Sequence, residues 1–154
     1  MLKKKCPFIL TPGNWLGEGK ITLSMMEKEL SFFMRWIVSP IDEKGHIKGL
    51  QEIQISGFPD LMRNQFDFYT ITKDGFAIDL ESETLGKVVG VGLITPALIG
   101  WEFRMSHIGF EGFEFYEATL DQHTYLLHAE YASNDDLRTI IHGKIWQQQE
   151  ITNK

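Results

Sequence analysis

The stretch TPGNWLGEGK, residues 11–20, decides the fold. It opens on the turn-formers Pro12 and Gly13 and then sets Gly17 and Gly19 around Trp15. Two readings compete, a phosphate-binding glycine loop or the first strand of a β-barrel. A Walker loop needs G-x-x-x-x-G-K-[ST] between a strand and a helix. Gly13, Gly17, Gly19 and Lys20 do not give that spacing, and the following KITLS is strand-like. The dinucleotide pattern G-x-G-x-x-G is absent here as well. A strand accounts for the residues better. Pro12–Gly13 turns the chain, Trp15 closes one end of a barrel, and Gly17 and Gly19 let a coiled strand cross its neighbours closely. Arg138 or Lys144 of the last strand is the expected cation over the Trp15 indole face.

Working outward, the dominant period is two. ELSFFMRWIV (29–38) sets Phe32, Met34, Trp36 and Val38 on one face. QEIQISG alternates Ile53 and Ile55 with polar residues, and NQFDFYTIT sets Phe66 and Phe68 against Asp67 and Tyr69. GFAIDLES, LIGWEFRMSH and GFEFYEATL repeat the pattern with Phe76, Ile78 and Leu80, then Trp101, Phe103 and Met105, then Phe113 and Phe115. Such alternation means strands with one buried face. Turn-like clusters separate them, which predicts about ten strands at 15–24, 28–39, 48–57, 64–73, 75–82, 86–95, 98–107, 112–120, 123–133 and 137–148. FPDLMRNQ (58–65) has room for one helical turn. Short loops favour an antiparallel meander, and closure removes its exposed edges. The expected fold is all-β, an up-and-down barrel over residues 13–148, with tails at 1–12 and 149–154.

The chain of 154 residues is about one domain's worth, and its aromatic content of 12% suits a broad core or an apolar cavity. A net charge of −6 argues against nucleic acid, which needs clustered Lys and Arg. The basic run Lys3–Lys5 reads as a solvated tail. A single cysteine, Cys6, rules out an internal disulfide and fits a reducing compartment. With no secretory pattern and no apolar run of about 20 residues, the expectation is a cytoplasmic protein without a membrane span.

The motif around Trp15 resembles the G-x-W element that opens the first strand of calycins, the superfamily of lipocalins and fatty-acid-binding proteins. Its extended form, Gly13, Trp15, Gly17 and Gly19, is similar to that of bacterial lipocalin-like domains and nitrobindins. The resemblance implies a barrel with an internal pocket that binds a small apolar molecule or haem. In nitrobindins one histidine of the last strand holds haem iron, and LRTIIHGKIW places His142 at a matching position.

The remaining candidates divide by face. Phe32, Met34, Trp36, Phe66, Phe68, Trp101, Phe103, Met105, Phe113, Phe115 and Tyr125 are expected on the inner face, either as a filled core or as a pocket wall. Arg35, Arg104, Tyr125 and His128 are candidates to orient a ligand if their register turns them inward. Alternation alone does not say which face of the last strands points inward. Glu111, Glu114, Glu117 and Asp121 alternate with aromatics and read as the wet face of a strand. No H-E-x-x-H, H-x-H or G-x-S-x-G pattern occurs, so neither a zinc site nor a hydrolase elbow is expected.

Three functional readings follow. The first is a container for a small hydrophobic molecule, without catalysis. The second is a haem protein with His142 as proximal ligand. The third is a small pocket enzyme, an isomerase or hydrolase, whose mark would be a buried His or carboxylate of shifted pKa.

Overall fold

A computed structural model of the chain describes residues 8–24, 26–82, 86–105, 109–121, 123–133 and 138–148. Lys3–Lys5, Cys6, His107 and the expected tail at 149–154 lie outside the described residues. Ten strands follow one another: β1 (Gly13–Leu23), β2 (Leu30–Val38), β3 (Ile47–Ile55), β4 (Met62–Tyr69), β5 (Gly75–Ser82), β6 (Gly86–Ile94), β7 (Leu98–Met105), β8 (Phe110–Ala118), β9 (Thr124–Ala132) and β10 (Arg138–Gln147). They form a closed barrel in which each strand pairs antiparallel with its sequence neighbours and β1 pairs with β10. The expected all-β meander is therefore the observed fold. The stretch at 58–65 forms no helical turn, because β4 already begins at Met62 and pairs it with Ile53.

Closure runs from Trp15 opposite Gln147 to Leu23 opposite Thr139. The two backbones approach so closely that a Cβ on Gly19 would stand 2.2 Å from the His142 carbonyl oxygen, and one on Gly143 2.2 Å from that of Glu18. A Cβ on Gly17 would meet the Ile145 side chain at 2.7 Å. The glycines of the opening motif are thus the seam of the barrel, where any side chain would force the strands apart.

Alternation sorts the residues as the period of two requires. Trp15, Ile21, Phe32, Met34, Trp36, Ile53, Phe66, Phe68, Ile78, Trp101, Phe103, Tyr125 and Ile145 all point inward and are buried. Near the start of β1 the interior is packed solid by aromatics. Residues 8–10 form a short 3₁₀ turn, and Phe8 and Ile9 are fully buried. The Phe8 ring centroid lies 4.9 Å from that of Trp15, 5.3 Å from Trp36 and 4.6 Å from Tyr116. Expecting a tail through residue 12 missed this plug, because three apolar residues between a basic run and a proline carry no periodicity.

Neither Arg138 nor Lys144 is the expected cation over Trp15. Trp15 packs edge-on against Phe8 and Tyr125 and donates its indole N–H to the Thr11 carbonyl at 3.2 Å. Arg138 stands at the far end of β10, opposite Ala132, and Lys144 lies on the outer face over Trp146, 5.9 Å from the ring centroid. The seam glycines leave Trp15 facing inward, where aromatic side chains surround it.

The plug yields a contrast between two phenylalanines. Phe8→Ala should cost about 3–5 kcal/mol by opening a cavity among aromatic rings. Phe33→Ala, which strips an outer-face ring that is 65% exposed, should cost under about 0.5 kcal/mol. Urea unfolding midpoints of the two variants measure this. Equal losses would mean that Phe8 does not plug the barrel.

Candidate ligand-binding site

At the other end the interior is not filled. A cavity of about 300 Å³ opens there, walled by Ile21, Ile53, Met62, Phe66, Leu80, Phe110 and Ile141. Gln51, Asn64, Glu114 and Tyr131 bring polar groups to it, and Ser82, Ser133 and Thr139 add small ones. A shallower depression of about 280 Å³ is bounded largely by the surface charges Glu102, Arg104, Glu111 and Arg138.

The polar groups form one connected cluster. Asn64 Nδ2 donates to Gln51 Oε1 at 2.9 Å, and Gln51 Nε2 donates to Glu114 Oε2 at 2.9 Å. The Tyr116 hydroxyl also donates to Glu114 Oε2, and the Tyr131 hydroxyl donates to Oε1 at 2.6 Å. Trp36 Nε1 donates to the Tyr116 oxygen at 3.1 Å, joining the cluster to the aromatic core. Trp101, opposite Glu114 in the sheet, buries its indole N–H without a hydrogen bond of ordinary geometry.

Local structure explains how these groups meet. Glu114 and Tyr116 are two residues apart on β8 and share its inner face. Gly112 precedes them on that face, and a Cβ there would stand 2.3 Å from the Tyr131 ring. Its absence lets the Tyr131 ring lie over β8 and reach the carboxyl. Gln51 arrives from β3 on the same inward face as Ile53 and Ile55.

Glu114 is 3% exposed, and burial raises its pKa above the ordinary carboxylate value, while hydrogen bonds from Tyr116, Tyr131 and Gln51 act to lower it. Burial and the neighbouring carboxylate push both phenols well above their usual range. Burial therefore disfavours the charged form of Glu114, while the three hydrogen bonds favour it. Glu114 is also the only Asp, Glu, Lys, Arg or His on the inward face of the described strand residues.

Of the aromatic candidates for a pocket wall, Phe66 alone lines this cavity. Phe32, Met34, Trp36, Phe68, Trp101, Phe103, Met105 and Tyr125 face inward but belong to the packed body. Phe68 lies 5.4 Å from Trp101, and Trp36 lies 5.1 Å from Phe66. Phe113 and Phe115 are corrected outright. They stack on each other at 5.9 Å on the outer face, against His128. The wet-face reading of Glu114 fails for the same reason, since placing the two phenylalanines outside turns Glu114 and Tyr116 inside. Glu111 and Glu117 do lie outside, exposed.

Among the polar candidates, Tyr125 is buried inside. Arg35 lies outside, its Nε donating to Glu52 at 2.9 Å while Arg63 donates to the other carboxylate oxygen at 3.0 Å. Arg104 is exposed beside Glu102, and His128 sits outside by Glu130 at 3.0 Å. His142 is on the outer face of β10, paired with Glu29 at 3.0 Å and half exposed. None of the described histidines, His46, His123, His128 and His142, lines the cavity. The residues present do not fit haem held inside the barrel by His142. The members of the site that sequence reading missed are Gln51, Asn64, Glu114 and Tyr131.

Neither the scan of protein-family models nor the comparison with curated proteins gave a match to this sequence. What the geometry defines is a closed ten-stranded antiparallel barrel, consistent with a calycin-like fold, filled near the start of β1 and open to a cavity at its other end. Among the described residues no helix is long and apolar enough to cross a membrane.

A carboxyl whose pKa is higher folded than unfolded stabilises the fold in its protonated form. Its contribution is intact below the unfolded value and is lost as pH rises through the folded one. Wild type should therefore lose stability relative to Glu114→Gln as pH climbs from about 4.5, the ordinary value, until it passes the raised one. Comparing thermal midpoints of the two proteins across pH cancels the groups they share. A difference that does not vary with pH would contradict a raised carboxyl.

Proposed function

We propose that this protein binds a small hydrophobic molecule inside a calycin-like barrel. The observation that carries the reading is the open-end cavity, whose apolar wall surrounds a buried polar cluster. Ligand sites are commonly built this way, with area burial supplying affinity and a few convergent polar groups fixing orientation. The cavity of about 300 Å³ is roughly twice the ~150 Å³ void that accepts benzene. Its occupant is accordingly a molecule of one or two rings, or a short branched chain.

Indole is a suitable probe. Saturation transfer from protein to indole should appear with wild type. Met62→Trp, which sets a large ring at the exposed mouth of the cavity, should weaken binding at least tenfold while leaving the unfolding midpoint nearly unchanged. Undiminished binding in this variant would place the ligand elsewhere.

One observation favours a second reading. Glu114 is a buried carboxyl of raised pKa in contact with two phenols, the mark expected of a pocket enzyme working by acid–base chemistry. The minimal reaction is proton abstraction beside a carbonyl. Cyclohexanone in deuterium oxide should then exchange its α-hydrogens faster with wild type than with Glu114→Gln. Equal rates would leave the container without catalysis.

A further inference from the structure

The inner wall of the barrel carries one ionisable carboxyl and no basic side chain among the described residues. The nearby guanidinium groups of Arg35 and Arg63 are on the outside, committed to Glu52. Among the described residues the hydrogen bonds to Glu114 come from neutral donors, the Gln51 amide and the hydroxyls of Tyr116 and Tyr131. Neutral donors hold a carboxylate in place and solvate it in part, but they bring no countercharge. A buried carboxylate left without one costs several kcal/mol.

The distribution of those donors matters. Oε2 receives two of them, from Gln51 and Tyr116. Among the described residues Oε1 receives Tyr131 alone. A carboxylate oxygen has two lone pairs, so Oε1 keeps acceptor capacity, and Glu114 and Tyr131 both line the cavity. Phe66 and Phe110 add aromatic faces to the same space. Aromatic faces attract cations, most strongly where water is excluded. A protein of net charge −6 also draws cations towards itself. An anionic ligand would meet like charge at the floor of the cavity. A neutral one would leave the carboxylate uncompensated.

From this we propose that the cavity selects a small apolar amine, bound as a monocation with its ammonium group on Glu114 and its hydrocarbon part against Ile53, Phe66, Leu80 and Ile141. The assignment rests on the container reading above and adds the chemistry of the ligand's head. A primary ammonium donates to Glu114 Oε1 and supplies the missing charge, while the cavity volume limits the rest to about one ring. Polyamines and zwitterionic amino acids are disfavoured, because the single carboxylate compensates one charge and the wall is otherwise apolar.

The test is a titration of wild type with three molecules of nearly equal size, 2-phenylethylamine, 2-phenylethanol and phenylacetate, with indole as a headless control. The amine should bind at least tenfold tighter than the alcohol, and phenylacetate weakest. In Glu114→Gln, checked for native near-ultraviolet dichroism, the amine should lose its advantage while the alcohol and indole still bind. Tyr131→Phe, which keeps the carboxylate, should retain the preference for the amine. The wild-type comparison needs no variant, so it stands even if Glu114→Gln does not fold. If indole binds and the alcohol matches the amine, or the amine's advantage survives Glu114→Gln, the container stands and the amine assignment falls. If neither indole nor any of the three binds, both fall.

Discussion

The structure depends on the contact between the first and last strands. A meander of ten strands is an open sheet until β1 meets β10, and an open sheet leaves two unpaired edges. The seam forms where Gly17 and Gly19 face Ile145 and Gly143, with the Ile145 side chain and the His142 carbonyl oxygen standing where their own side chains would otherwise be. That close approach fixes Trp15 inward against Phe8 and Tyr125, and so decides which end of the barrel is filled. At the other end Ile21, Ile53, Phe66, Leu80, Phe110 and Ile141 wall a cavity. Closure creates the interior, and the uneven distribution of aromatic volume along it leaves the cavity.

Inside that cavity one charge stands against the general rule that buried carboxylates are paired. The Glu114 cluster is well supplied with hydrogen bonds, and Tyr116 ties it through Trp36 to the packed core. Hydrogen bonding of this kind orients a carboxyl and narrows its motion, which a solvent-facing glutamate would not need. The raised pKa follows from burial outweighing those bonds. A site that spends stability on an uncompensated group is the expected signature of recognition or chemistry rather than of packing. The fold alone does not choose between those uses, because barrels of one architecture serve many functions. The carboxyl, its donors and the space above it supply the argument.

Strand order, the antiparallel meander and most strand bounds were legible in the sequence, because alternation and turn residues are local signals. On β2 to β5 and on β7 the phase was legible too, since Trp36, Phe66, Phe68 and Trp101 alternate with charged or polar residues. On β8 it was not. Phe113 and Phe115 alternate with Glu114 and Tyr116, so over those four positions the pattern favours placing the phenylalanines inside. Extending the count along the strand reverses it, because the outer set adds Glu111 and Glu117 while the inner set adds Phe110, Gly112 and Ala118. The same inversion hid the polar cluster, which needs Glu114 inside before Gln51 or Tyr131 gains any meaning. Gln51 carried no signal of its own, since a glutamine beside Glu52 reads as solvent-facing. The Phe8 plug and the outward turn of His142 depend on contacts between strands distant in sequence, which no local pattern records.

The central claim is that the barrel keeps an accessible void above Glu114. Xenon enters apolar cavities without needing any particular chemistry, so a crystal of the protein pressurised with xenon reads the void directly. The account predicts a xenon peak enclosed by Ile53, Phe66, Leu80 and Ile141, with the Glu114–Tyr131 hydrogen bond intact beside it. An interior with no xenon, in which those side chains close over the carboxyl, would contradict it.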